Sequence, residues 1–187
     1  VWRTWAPTLP TEVTTSIDYV AMGDSFSAGP FIGTMRSDPA GCARSKSNYP
    51  AFLAQWLDVA SYTDVTCSAA TTVDLVDPML MFDGNTAPPQ IDAVSEDTDL
   101  VTLGIGGNDF GIYDSLIRCQ GSAAVECPVT QLHADAGKVA GRVEKAVRRI
   151  LEAAPDARVL VVGYPDILPT EGTCRAAGSY LVTARDG

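Results

Sequence analysis

The chain has 187 residues, 46% of them hydrophobic and 19% charged, a balance that suits one soluble domain with a substantial core and excludes a disordered chain. Thirteen basic residues against 23 acidic ones leave a net charge of −10, which repels phosphate backbones and removes nucleic acid from the expected partners. No apolar run approaches the roughly 18 residues that cross a bilayer, so no transmembrane segment is expected.

Residues 1–15, with Trp2, Trp5, Pro7 and Pro10, read as an irregular lead-in. The chain opens on Val1 rather than on methionine, as a processed chain would, which fits removal of a signal peptide. Residues 17–22 form a short apolar run suited to a buried strand, ended by Gly23 and Asp24. Asn48 then offers a cap to a helix over 49–60, with Phe52, Leu53, Trp56 and Leu57 at helical spacing. Residues 65–67 look like the tail of a second strand, followed by a polar turn at 68–72.

Residues 100–105 give a third buried strand, closing on Gly106 and Gly107. A long amphipathic helix over 131–154 carries Val139, Val143, Val147, Ile150 and Leu151 on one face and stops at Pro155. The run RVLVV at 158–162 predicts a fourth buried strand, with a turn at Gly163, Tyr164 and Pro165. Strands that are apolar throughout and alternate with helices indicate an α/β fold, a doubly wound parallel sheet covered on both faces. No repeat or interdomain linker interrupts the chain, so residues 1–187 are expected to lie in a single domain.

Five cysteines, at 42, 67, 119, 127 and 174, include no CxxC pair, and His133 is the only histidine. That pattern gives no support to a zinc site and favours disulfides in an oxidising compartment. The interval from Cys119 to Cys127 holds Gly121, Ser122, Ala123 and Ala124, a flexible stretch able to close a small covalent loop.

In an open parallel sheet the chemistry gathers at the carboxyl ends of the strands. Three of those ends are distinctive: Gly23-Asp24-Ser25-Phe26-Ser27-Ala28-Gly29, Cys67-Ser68-Ala69-Ala70-Thr71-Thr72, and Gly104-Ile105-Gly106-Gly107-Asn108-Asp109-Phe110. A serine in a glycine-flanked strand-to-helix turn holds its hydroxyl clear of the sheet, beside backbone N–H groups that face any anion formed there. An asparagine in a Gly-Gly turn at a neighbouring strand end offers an amide donor, the kind of group that stabilises a tetrahedral oxyanion. The arrangement is that of acyl transfer. Phe26, Phe31, Ile32 and Met35, just past the serine, either line an acyl groove or belong to the core.

GDSFSAG at 23–29 followed by IGGND at 105–109 resembles the SGNH, or GDSL, hydrolase family, and most nearly its secreted actinobacterial lipases and esterases. The GxSxG elbow of the α/β-hydrolases does not occur. The resemblance implies the flavodoxin-like three-layer form of the fold and a serine ester hydrolase that needs no cofactor and no metal. Its substrate would be a small-molecule or lipid ester. Carried over residue by residue, Ser25 is the nucleophile and its own N–H the first oxyanion donor. The N–H of Ala69 is the second donor and the Asn108 side chain the third, with Asp24 and Gly107 supporting the two turns. Position 69 departs from the family's usual glycine, so its backbone lies at negative φ or is strained.

The resemblance also implies secretion, with Cys42 bridged to Cys67 and Cys119 to Cys127, which leaves Cys174 needing another thiol. The family continues into a last helix, a last strand and a DxxH motif that supplies the catalytic base, and none of these falls within residues 1–187. The expectation is a C-terminally incomplete domain, whose missing segment carries the histidine and a partner for Cys174. His133 lies at the start of the long helix, away from the family's position, and reads as a surface residue. The rival reading is a non-catalytic binding domain, a degenerate SGNH fold that keeps its pocket without a base.

Overall fold

The computed structural model describes residues 16–121 and 128–164. The lead-in at 1–15, the expected Cys119 to Cys127 bridge, Pro165 and Cys174 lie outside them. The elements run β1 (Asp18–Gly23), α1 (Ser25–Ala28), α2 (Tyr49–Leu57), β2 (Ser61–Asp64), β3 (Met79–Leu80), β4 (Thr86–Ala87), β5 (Leu100–Gly104), α3 (Ile112–Gly121), α4 (Val129–Ala153) and β6 (Arg158–Val161). Four strands form one parallel sheet in the order β2-β1-β5-β6, and β3 and β4 form a small antiparallel pair. The expected doubly wound parallel α/β sheet is the architecture found.

Side chains alternate across the sheet, so each central strand feeds two cores. Val20 and Met22 of β1 and Val101 and Leu103 of β5 face one layer, where they join Leu75 and the α4 residues Ala146 and Ile150. Tyr19, Ala21 and Leu100 join a second cluster with Ala54 of α2. On α4, Val139, Val143 and Val147 are half-buried and Ile150 is buried, as the spacing predicts, whereas Leu151 turns outward. Full burial of one such side chain contributes about 1.5–3 kcal/mol.

Local chemistry sets the ends of the elements. Asn48 caps α2 by accepting the Ala51 N–H at 3.1 Å, with Pro50 in the first turn. Asp58, in the left-handed region at φ +49°, stops that helix short of the predicted residue 60. The second strand lies just before the predicted one. Its sequence, SYTD, is polar because β2 is an outer strand, and hydrogen bonds to β1 continue through Val65 and Cys67. β6 departs from the buried strand that RVLVV suggests: Leu160 and Val161 are 50% and 56% exposed. It lies at the other edge of the sheet among the described residues.

From β1 the chain moves outward to β2 and then returns past β1 to β5 and β6. The connections that leave β1 and β5 therefore diverge, and the topological switch point, where ligands bind in open parallel sheets, lies between those two carboxyl ends.

Candidate active site

The first turn is built around a backbone that only glycine allows. Gly23 ends β1 at φ +148°, and a Cβ there would fall 2.4 Å from the Gly104 carbonyl oxygen of β5. The next residue, Asp24, donates its N–H to that same oxygen at 2.9 Å. Asp24 is also the N-cap of α1, accepting the Phe26 N–H at 3.0 Å, which places Ser25 at the first helical position. Gly29, left-handed at φ +65°, closes the short helix by donating to the Ser25 carbonyl. From the segment between β4 and β5, buried Gln90 grips Gly23 by both backbone groups: it accepts the Gly23 N–H at 2.7 Å and donates to the Gly23 oxygen at 3.0 Å.

The second turn follows β2. Cys67 is joined to Cys42 by a disulfide, and Ser68 donates its N–H to the Cys42 oxygen at 3.0 Å. Ala69 is exposed and stands at φ +70°. Of the two conditions that alanine imposes at this position, the strained one holds.

In the third turn Gly106 sits at φ +118°, where a Cβ would meet Val139 of α4 at 2.5 Å. A Cβ on Gly107 would lie 2.9 Å from the Tyr164 hydroxyl, so the Gly-Gly pair lets α4 and Tyr164 close on the loop from two sides. Asn108 donates one amide hydrogen to the Ala70 oxygen at 2.9 Å. Among the described residues its second amide hydrogen has no partner, and an amide can donate it to a ligand. Buried Asp109 accepts the N–H and hydroxyl of Thr72 and the Arg142 guanidinium.

Tyr164, just past β6, joins the first and third turns. Its hydroxyl accepts the Gly107 N–H at 2.7 Å and donates to the Asp24 carboxylate, while its ring packs edge-on against Phe26 at 4.7 Å. Burial pushes the Asp24 carboxyl above its ordinary value, an effect the Tyr164 hydroxyl and the Phe26 N–H partly offset. Burial, with the nearby Asp24 charge, also pushes the Tyr164 phenol up, so it stays a neutral donor.

The structure thus gathers Asp24, Ser25, Ala69, Gly107 and Asn108 onto three strand-end turns that are hydrogen-bonded to one another. His133 is exposed near the start of α4. Gln90 and Arg142 were not singled out from the sequence, and Thr72 and Tyr164 were read only as turn residues without a role. The one available signal was the position of Tyr164, directly after a strand and therefore at the same edge of the sheet as the motifs. The residues offered as groove or core are not core: Phe26, Phe31 and Ile32 are 42%, 93% and 53% exposed, and Met35 is half-buried. No helix among the described residues is long and apolar enough to cross a membrane.

The family model of the GDSL-like lipase/acylhydrolases matches residues 21–185. The chain belongs to that family. It is 38% identical over 173 residues to Lipase 2 of Streptomyces coelicolor, a match covering 86% of this chain and 56% of the relative. Among solved structures it is similar to an extracellular lipase from Streptomyces rimosus, with 32% identity and a TM-score of 0.72 over 84% of this chain and 64% of the other. It is also similar to phospholipase A1 from Streptomyces albidoflavus, with 31% identity and a TM-score of 0.67, covering 86% and 65%. The chain spans little more than half the length of the lipase and esterase relatives it matches.

Proposed function

We propose that this chain is the larger part of a secreted serine ester hydrolase in which Ser25 attacks the acyl carbon of a carboxylic ester. The observation that carries the reading is the mutual fastening of three strand-end turns at the sheet's switch point. Ser25 stands on one, and on another Asn108 is held by the Ala70 carbonyl, with its second amide hydrogen unpaired among the described residues. The N–H groups of Ser25 and Ala69 and the amide of Asn108 stabilise the oxyanion; Asp24 and Gly107, linked through Tyr164, hold the first turn against the third. An acyl-enzyme forms on Ser25, and water then releases the acid.

The exposed apolar side chains of Phe26, Phe31 and Ile32 beside the nucleophile turn, together with the lipase and phospholipase names of the relatives, favour an ester with an apolar acyl group. The Cys42–Cys67 disulfide and the extracellular relative favour secretion. The base is a histidine in a segment following Gly187, which completes the single SGNH domain, also offers Cys174 a thiol, and lies against the Ser25 turn.

The test is hydrolysis of a short-chain aryl ester by the full-length protein and its Ser25→Ala variant, with fluorophosphonate labelling of both. Labelling and turnover that vanish together in the variant are expected. Turnover unchanged by Ser25→Ala would refute the assignment, and a protein that binds esters without cleaving them would be a binding module instead.

A further inference from the structure

Behind the turn that carries Asn108 lies a charged group that the reaction as written does not use. Asp109 is 1% exposed, and both of its carboxylate oxygens are engaged. One accepts the Thr72 hydroxyl at 2.5 Å and the Arg142 guanidinium at 2.8 Å, and the other accepts the Thr72 N–H at 2.9 Å. Thr72 lies three residues past Ala69 and two past Ala70, whose oxygen holds Asn108. The second and third turns are therefore pinned at two adjacent points, once through Asn108 and once through Asp109.

Arg142 reaches this place from α4 and is itself held there. Its guanidinium lies 4.2 Å from the ring centre of Phe110, with the Lys138 ammonium 5.1 Å from the same ring. Phe110 accepts a left-handed backbone, φ +55°, directly after Asp109. The Asp109 charge is also felt at the nucleophile turn, where it disfavours the charged form of Asp24. A buried carboxylate next to Asn108 would oppose a second negative charge forming at the amide, unless a cation cancels it.

We infer that Asp109 and Arg142 are positioning residues for the oxyanion site: Asp109 sets the Ala69 turn against Asn108, and Arg142 neutralises Asp109 so that the site can accept negative charge. This rests on the ester-hydrolase reading above. Thr72 alone would need only an acceptor, and the amide oxygen of an asparagine would serve. The carboxylate brings a charge that turn geometry does not require, and Arg142 is the cation placed against it.

Because the effect arises where charge develops, it belongs to the transition state and lowers kcat with little change in KM. The experiment uses the full-length protein with Arg142→Gln, Arg142→Lys, Asp109→Asn and the double variant Asp109→Asn/Arg142→Gln, with Ser25→Ala in parallel. The Arg142 side chain is 40% exposed but its Asp109 partner is buried, so the urea midpoint of each variant is measured first and kinetics are compared where all variants are folded. Arg142→Gln is expected to lower kcat by about ten- to a hundredfold, below the effect typical of losing an oxyanion donor outright, with KM within about threefold. The double variant removes the uncompensated charge and should recover about tenfold of that loss, and Arg142→Lys should also exceed Arg142→Gln. Inhibition by an alkylboronic acid, which forms a tetrahedral adduct on Ser25, should weaken in step with kcat/KM. A purely structural role would instead make the double variant at least as slow as Arg142→Gln.

The inference alone is overturned if Ser25-dependent hydrolysis is normal and Arg142→Gln stays within about threefold of wild type in kcat, or if the double variant is no faster than Arg142→Gln. A wild-type protein without Ser25-dependent hydrolysis would overturn the ester-hydrolase reading, and this inference with it.

Discussion

Two residues of the nucleophile and oxyanion turns hold conformations or charges that cost stability, and each gives a measurable consequence. Ala69 at φ +70° occupies the region where a Cβ costs roughly 1–2 kcal/mol. Glycine removes that cost but makes the unfolded chain more flexible by about 0.4–1 kcal/mol. Ala69→Gly is therefore expected to stabilise the protein by about 0.5 kcal/mol with activity retained, as read by the urea midpoint; a clear loss would show that the turn is not strained. Asp24 is the second case. Its folded pKa lies above the ordinary 3.8, so the folded state holds the proton more tightly than the unfolded one. The stability from this group is present below the unfolded value and is lost as pH rises through the folded one. Asp24→Asn abolishes that titration. Urea unfolding at a series of pH values should show the variant gaining on wild type as pH rises above the ordinary carboxylate value of about 4, and a difference of opposite slope would refute the shift. Ser25, Asn108 and their flanking glycines were legible because they stand in short motifs at strand ends. Gln90 was not, since its hold on Gly23 joins positions 67 apart with no periodic signal.

At the scale of elements, what sequence reveals depends on which faces a strand buries. β1 and β5, central and covered on both sides, read directly from their apolar runs. β2 did not, because an edge strand carries polar residues: Asp64 there is buried only by accepting from Asn48, Tyr62 and Thr66 beside the Arg44 guanidinium. For β6 the composition of a buried strand was legible, whereas its exposure depends on what neighbours it. The Cys42–Cys67 bridge joins the short turn at Ala40–Cys42 to the end of the run that follows β2, across 25 positions. Chain entropy gives it roughly 3–4 kcal/mol. Replacing both cysteines with alanine should lower the unfolding free energy by about that much, or somewhat less if the unfolded chain is compact. The same change should also speed proteolysis near residues 68–72, since Ser68 loses a fixed partner in Cys42. Unchanged stability in the double variant would mean that the noncovalent contacts of these loops suffice.

The described sheet brings the three motif turns together at one end and leaves apolar side chains of β6 open. Leu160, Val161 and Val162 are 50%, 56% and 36% exposed, and Leu151 of α4 is 38% exposed. An open strand edge with apolar side chains associates readily unless something covers it. The lipase and esterase relatives are nearly twice as long as the span they share with this chain. Under the proposed function, a following segment both covers β6 and brings the histidine to Ser25. Residues 1–187 expressed alone should then be poor catalysts, because a serine without an adjacent base loses most of its activation. Acceleration over water of about a thousandfold can survive from oxyanion donors and binding. The same fragment should self-associate at concentrations where the full-length protein does not. The comparison is kcat/KM on an aryl ester, with sedimentation, for residues 1–187, for that fragment mixed with the downstream peptide, and for the intact protein. Recovery of activity and loss of self-association on adding the peptide are expected together. Full activity from residues 1–187 alone would place the base within them and make His133 the first residue to replace.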